Sequence, residues 1–200
     1  MRLASHAGKK RFIIDPGEYY VSDEDIIIST LLGSCVSACL WDPVNHIVGM
    51  NHFLLANKRY SRDIPLIASE AGRYGIHAME LLINAMQRKG ANRHLLKAKA
   101  FGGSNVLMGV NQGDSHFAIG DVNCRFITEF LSNEKIPLVS SNLGGSFGRI
   151  IHFAANDFSV YMKRIGQSEA QGLVKEERRF YQHEISEQER KKKENSIQFW

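Results

Sequence analysis

Two residues of the chain, Cys35 and His52, are spaced to do chemistry together. Between them runs Trp41-Asp42-Pro43-Val44-Asn45-His46, where Asp at the first position and Pro at the second suit a type I turn. Strand-like residues flank this turn, so the segment reads as a β-hairpin. If Asp42 faces Asn45, Cys35 lies directly opposite His52, with Cβ atoms ~5 Å apart. A loop two residues longer makes them diagonal neighbours on one face, and a slip of one residue puts them on opposite faces. A cysteine facing a histidine at this range is the nucleophile–base pair of cysteine hydrolases. The imidazole favours the thiolate, so the thiol is expected to be acidic, and the imidazolium can protonate a leaving group.

Gly33 and Ser34 immediately before the cysteine support this reading. Glycine relieves crowding at a tight bend, and backbone N–H groups at such a bend can point at an oxyanion. The plain alternative is a small buried core cysteine and a strand histidine with satisfied hydrogen bonds. Cys35, Cys39, His46 and His52 also form a Cys/His cluster. Strand residues four apart are ~13 Å apart, too far for two thiolates on one zinc, and no C-x-x-C pair occurs. No metal is assigned.

The elements that must position this pair follow from periodicity. Strands are expected at Ile26–Ser29, Val36–Trp41, Ile47–Leu55, Lys97–Phe101, Leu138–Ser141, Arg149–Phe153 and Phe158–Lys163. One helix carries Tyr74, Ala78, Leu81, Leu82, Ala85 and Met86 at helical spacing, with Gly90 as its C′ residue. A second carries Ile119, Val122, Phe126, Ile127, Phe130 and Leu131, with Pro137 shortly beyond its end. The two stripes pack on strands, giving an α/β (α+β) domain with a mixed sheet covered by helices. Residues 1–11 read as a flexible arm, 12–167 as a single domain, and 168–200 as a charged tail, helical or disordered. Phe180, Tyr181, Phe199 and Trp200 in that tail are candidate anchors or stray surface aromatics.

Composition narrows the function classes. The net charge is +4, but the tail holds seven Lys/Arg against seven Asp/Glu, and no basic stripe with interleaved aromatics occurs. Nucleic acid is not an expected partner. The longest apolar-leaning run, Ile26 to Cys39, is interrupted by Ser29, Thr30, Gly33, Ser34 and Ser37, so no membrane span is expected. Three cysteines form no disulfide framework and point to a reducing, cytoplasmic setting. Phe101-Gly102-Gly103-Ser104-Asn105 and Gly144-Gly145-Ser146-Phe147-Gly148-Arg149 lack the endings of phosphate loops. They read as tight turns or as rims of a substrate groove. Cys39 and Cys124 read as packed thiols. His77, His94, His116 and His152 have no evident partner spacing.

The string Gly17-Glu18-Tyr19-Tyr20, the Thr30–Val36 stretch Thr-Leu-Leu-Gly-Ser-Cys-Val, and Asn51-His52-Phe53-Leu54-Leu55 resemble the CheD family of chemoreceptor glutamine deamidases. Lys99-Ala100-Phe101-Gly102-Gly103, Ile119-Gly120 with Asn123, and Leu143-Gly144-Gly145 with Gly148-Arg149 extend the resemblance over residues 12 to 165. It implies a layered α/β sandwich that hydrolyses glutamine side chains of bacterial chemotaxis receptors to glutamate, releasing ammonia. It further implies Cys35 as nucleophile and His52 as general base. A hydroxyl six residues before the cysteine, here Ser29 with Thr30 as rival, would orient the histidine. Strand parity favours Ser29, and a bulge at Gly33 would exchange the two. No cofactor is implied. The same machinery could cleave a glutamate methyl ester. A non-catalytic role docking a CheC-type phosphatase is the competing class.

Overall fold

The computed structural model describes residues 1–6, 8–55, 69–105 and 119–166, with scattered positions of the C-terminal segment between 172 and 190. The described residues form ten strands: β1 (Arg2–His6), β2 (Lys9–Ile13), β3 (Tyr19–Ser22), β4 (Ile27–Leu32), β5 (Val36–Asp42), β6 (Ile47–Asn51), β7 (Lys97–Gly102), β8 (Leu138–Leu143), β9 (Arg149–Ala154) and β10 (Val160–Arg164). Two long helices accompany them, α1 (Glu70–Arg88) and α2 (Ile119–Asn133). None of the described helices is long and apolar enough to cross a membrane.

The strands make two five-stranded sheets, ordered β1-β2-β4-β9-β10 and β3-β6-β5-β7-β8. Each is mixed: β2–β4 and β7–β8 run parallel, and the other pairs antiparallel. The α+β layered class read from the sequence holds, with two stacked sheets in place of one. Periodicity reports which face a residue takes, not which sheet its strand joins. The chain leaves the first sheet at Leu32 and enters the second at Val36, so the Gly33–Cys35 bend is the crossing point.

Side-chain alternation builds the layers. Ile26, Ile28 and Leu32 meet Cys35, Cys39, Trp41, Val48 and Met50 between the sheets, together with Ile151 and Phe153. The opposite face of the second sheet, with Val36, Ala38, Leu40, Phe53, Ala98 and Ala100, packs on Met79, Leu82, Ile83 and Met86 of α1 and Val122, Phe126, Ile127 and Phe130 of α2. β5 lies at the centre of the second sheet and is buried at every position.

Residues 1–11, expected as an arm, instead supply β1 and most of β2, paired antiparallel from Arg2↔Ile13 to His6↔Lys9. Their polar composition hides the strands. Exposed ion pairs Lys9–Asp25 (2.8 Å) and Lys10–Glu24 (3.0 Å) accompany the hairpin and contribute little stability. β3 was also not apparent in the sequence. The expected strand Ile47–Leu55 stops at Asn51, and Phe158–Lys163 begins at Val160. Most of the 168–200 tail lies outside the described residues, including Tyr181, Phe199 and Trp200. Phe180 packs against the cluster between the sheets.

α1 opens on Ser69, whose side chain accepts from Gly72 N–H at 3.0 Å. It closes before Gly90, which takes φ 105° as the C′ position requires. Within α1, Gly75 lets α2 approach: a Cβ there would lie 2.5 Å from the Phe126 ring. Gly75→Ala should therefore destabilise the fold by about 1–3 kcal/mol through overpacking, despite alanine's better helix propensity. Denaturant unfolding measures this, and an unchanged midpoint would show that the two helices separate freely.

Candidate active site

The turn sets the register of the β5–β6 hairpin. The Asp42 carboxylate accepts from Val44 N–H (2.9 Å), Asn45 N–H (3.1 Å), Asn45 Nδ2 (2.7 Å) and Asn92 N–H (2.8 Å). Burial alone would raise the pKa of Asp42, but these donors outweigh it and lower the pKa. The loop takes residues 43–46, with His46 at φ 52°, and the strands pair as Asp42↔Ile47 through Cys39↔Met50. The register is thus the longer-loop one. Val36 and Phe53 exchange both backbone hydrogen bonds at 2.9 Å. Continuing the register sets Cys35 opposite Leu54 and His52 opposite Ser37, so Cys35 and His52 are diagonal neighbours on one face. That face is the one turned to the first sheet. His46, at the far end of the hairpin, stacks on Phe158 and does not join them.

The direct backbone ladder between β5 and β6 ends at Met50, while β3 stays paired with β6 as far as Asn51. Ala38 N–H donates to the Asn51 side-chain oxygen at 3.0 Å, where a regular ladder would use the Asn51 backbone carbonyl. The backbone of His52 pairs elsewhere: its N–H donates to Glu18 O (2.9 Å) and its carbonyl accepts from Gly17 N–H (2.8 Å). The Gly17-Glu18 string noted in the sequence thereby fixes the main chain of His52.

The hydroxyl that reaches His52 belongs to Thr30. Thr30 Oγ1 lies 2.8 Å from His52 Nδ1 and donates to Ile14 O at 2.7 Å. The hydroxyl proton is committed to a carbonyl, so its oxygen accepts from Nδ1–H. The ring is then the Nδ1–H tautomer, with the lone pair on Nε2. Nε2 is buried and has no hydrogen-bond partner among the described residues. Burial lowers the His52 pKa to about 3, against smaller raising effects of Glu18 and the Ile14 carbonyl. The His52 ring is therefore a neutral imidazole in the resting protein.

Ser29, preferred from the sequence, faces the other side of β4. Its hydroxyl lies 2.8 Å from His152 Nδ1 and accepts from Arg11 Nε at 2.9 Å. The parity argument failed because β4 and β5 lie in different sheets, so counting through the Gly33 bend carries no facing information. A signal was present: Ile26, Ile28, Thr30 and Leu32 share one parity, and three of the four are core residues.

The Cys35 bend is held from outside by its carbonyls. Gly33 O accepts from Ser104 N–H (2.7 Å) and Ser104 Oγ (2.6 Å), Ser34 O from Asn123 Nδ2 (2.8 Å), and Cys35 O from Gly103 N–H (2.7 Å). Gly102 sits at φ 113°, and a Cβ there would overlap the Cys35 carbonyl oxygen. Gly144 N–H donates to Gly102 O (2.9 Å), and Asn105 N–H to Gly145 O (2.8 Å). The two glycine-rich stretches are thus tight turns that meet at the cysteine. Ser104, Asn123 and Arg149 belong to this setting and were not singled out as functional from the sequence. Cys39 is sealed in the core, its pKa raised to about 12 by burial. Cys124 is half-buried beside Gly103. His77 and His94 are exposed, and His116 lies outside the described residues.

The family described as CheD chemotactic sensory transduction matches residues 57–164. A relative from Geobacter sulfurreducens, named as a probable chemoreceptor glutamine deamidase, is 48% identical over 185 residues, covering 92% of each chain. Relatives of the same name from Shewanella oneidensis and Agrobacterium fabrum are 46% and 45% identical, over 84% and 74% of this chain and 85% and 76% of their own. The family match begins beyond the Cys35–His52 hairpin. The Geobacter match leaves too few residues at the ends to exclude it.

The depressed pKa of His52 has a thermodynamic signature. An unfolded histidine titrates near 6.5 and the folded one near 3, so below pH ~6.5 the unfolded chain binds the extra proton. The stabilisation is complete above that pH. It is lost as pH falls toward about 3, by up to about 1.4 kcal/mol per pH unit. His52→Gln should flatten the decline of melting temperature between about pH 6.5 and 4. An unaltered slope would mean that the imidazole is hydrated in the folded protein.

Proposed function

This chain belongs to the CheD family, and we propose that it hydrolyses side-chain amides of particular glutamines on bacterial chemoreceptors, in the cytoplasm, to glutamate and ammonia. The observation that carries this reading is the Thr30–His52 contact, which leaves Nε2 as an unprotonated base on the face it shares with Cys35.

Nε2 takes the thiol proton of Cys35 as sulfur bonds to the carboxamide carbon. The carbonyl π pair moves to oxygen. Backbone N–H groups at the Gly33-Ser34-Cys35 bend hold the resulting oxyanion, their peptide planes fixed by the pinned carbonyls. The imidazolium passes its proton to the amide nitrogen, the C–N bond breaks, and ammonia departs. A water then gives a proton to Nε2 and its oxygen to the thioester carbon. Collapse expels the Cys35 thiolate, which recovers the proton, and glutamate is left. The apolar setting that disfavours imidazolium makes His52 a strong acid once protonated, which suits a poor leaving group.

Intact-mass analysis of a receptor cytoplasmic fragment tests this: conversion adds about one mass unit per glutamine and releases one ammonia. A fragment whose mass never changes would leave the chain as an interaction module. Cys35→Ala should abolish conversion by several orders of magnitude. Thr30→Val should lower turnover about ten- to a hundredfold by releasing the ring, and Ser29→Ala much less. A larger fall at Ser29 would reverse the assignment of the orienting hydroxyl.

A further inference from the structure

Asn123 on α2 is fully buried, and its amide bonds to the backbone of Leu55 and of Ser34. Its amide does something more specific than fill space. In an antiparallel ladder, hydrogen-bonded pairs recur every second residue. Val36 and Phe53 form such a pair, so the next is Ser34 with Leu55, and Leu55 N–H should donate to Ser34 O. Instead, Leu55 N–H donates to Asn123 Oδ1 at 2.8 Å, and Asn123 Nδ2 donates to Ser34 O at 2.8 Å. A side-chain amide is inserted where one ladder bond belongs. Both groups are satisfied through the side chain of Asn123 rather than through each other. This pair flanks the Cys35–Leu54 position.

We propose that Asn123 is a positioning residue for the reaction, its amide acting as a wedge that sets the separation of the Cys35 bend from the strand carrying His52. This rests on the reading of Cys35 and His52 as the reacting pair. Two observations support it independently. The wedge acts on the residues immediately before Cys35 and shortly after His52, not at a remote point of the sheet. The neighbouring ladder position is also opened by an asparagine, through Ala38 N–H to Asn51 Oδ1, so the strand is released from β5 on both sides of the Val36–Phe53 pair. Direct closure of Ser34 onto Leu55 would satisfy the same backbone groups without any side chain. An amide there therefore serves spacing rather than mere hydrogen-bond satisfaction.

The wedge needs a donor toward Ser34 O and an acceptor toward Leu55 N–H, and Asn123→Asp separates these by pH. A protonated carboxyl supplies both. A carboxylate keeps the acceptor but sets two oxygens against each other at Ser34, and burial raises the pH at which the change occurs. The probe is iodoacetamide, with the Cys35, Cys39 and Cys124 peptides quantified by mass spectrometry from about pH 5.5 to 8. Receptor-fragment turnover is measured over the same range. Relative to wild type, Asn123→Asp should lose Cys35 labelling and kcat at high pH and regain them as pH falls. Asn123→Ala should stay about ten- to a hundredfold low throughout, with KM little changed. Protection of Cys39 in the same samples reports an intact core.

A residue that only stabilises the fold would lower the melting temperature and leave kcat and Cys35 labelling of the folded protein at wild-type values. That outcome overturns the proposal, as does loss of Cys39 protection in both variants. If wild type converts no glutamine, the functional reading fails, and the pH response of Cys35 labelling in Asn123→Asp still decides whether the wedge sets the cysteine.

Discussion

The site depends on one polar contact across an apolar seam, the Thr30 hydroxyl against His52 Nδ1. Thr30 comes from the first sheet and His52 follows the last residue of a strand of the second. Ile28 and Leu32 on the Thr30 side and Met50 and Leu54 on the His52 side, each two residues away in sequence, belong to the buried cluster between the sheets. A buried imidazole N–H in such surroundings needs a partner to offset the cost of its desolvation. The Thr30 hydroxyl and the Ile14 carbonyl supply one for Nδ1–H. Because the partners sit on different sheets, the spacing of the sheets sets the orientation of the ring. The whole sandwich core therefore acts on the tautomer of the His52 ring.

Around the cysteine the constraint is of another kind. Three consecutive carbonyls, of Gly33, Ser34 and Cys35, are pinned by Ser104, Asn123 and Gly103. Behind Gly102 stands the turn between β8 and β9, itself held by Arg149, whose guanidinium donates to Asn142 O, Asn142 Oδ1 and Gly144 O. Arg149 is fully buried and lies over the Phe147 ring. Burial lowers its pKa, yet a guanidinium stays charged in such settings. A buried cation facing carbonyls stiffens a turn at the cost of its own desolvation, and Gly144 passes that stiffness to Gly102. Glycine at 102 is then required twice, by its positive φ and by the carbonyl it touches.

Much of this was legible in the sequence where a local rule applies. The Asp-Pro-Val-Asn turn marks the hairpin, and parity places Cys35 and His52 on one face with either the shorter loop or the one two residues longer. Both helical stripes and the Gly90 stop follow from periodicity and capping. What was not legible depends on partners distant in sequence. The hairpin of residues 2–13 has the charges of an arm and becomes strand by pairing β2 with β4. Ser29 was favoured over Thr30 by counting through a bend that changes sheets. The alternation of Ile26, Ile28 and Leu32 held the better answer. Asn123 was visible only as part of a motif, because its role exists in the register of a hairpin 68 positions away.

The choice of a hydroxyl to orient the histidine follows from the same seam. A carboxylate at position 30 would hold the ring equally well, but an ionised carboxylate between two apolar sheet faces costs several kcal/mol to desolvate. It would also raise the His52 pKa and favour imidazolium at rest. An imidazolium cannot take the cysteine proton. Thr30 carries no charge, so it orients the ring without stabilising the wrong protonation state. The price is a weaker base in the resting protein. In the proposed reaction, charge on His52 becomes favourable only when a thiolate or an oxyanion forms beside it, so the apolar seam would tie protonation of the histidine to the progress of that reaction.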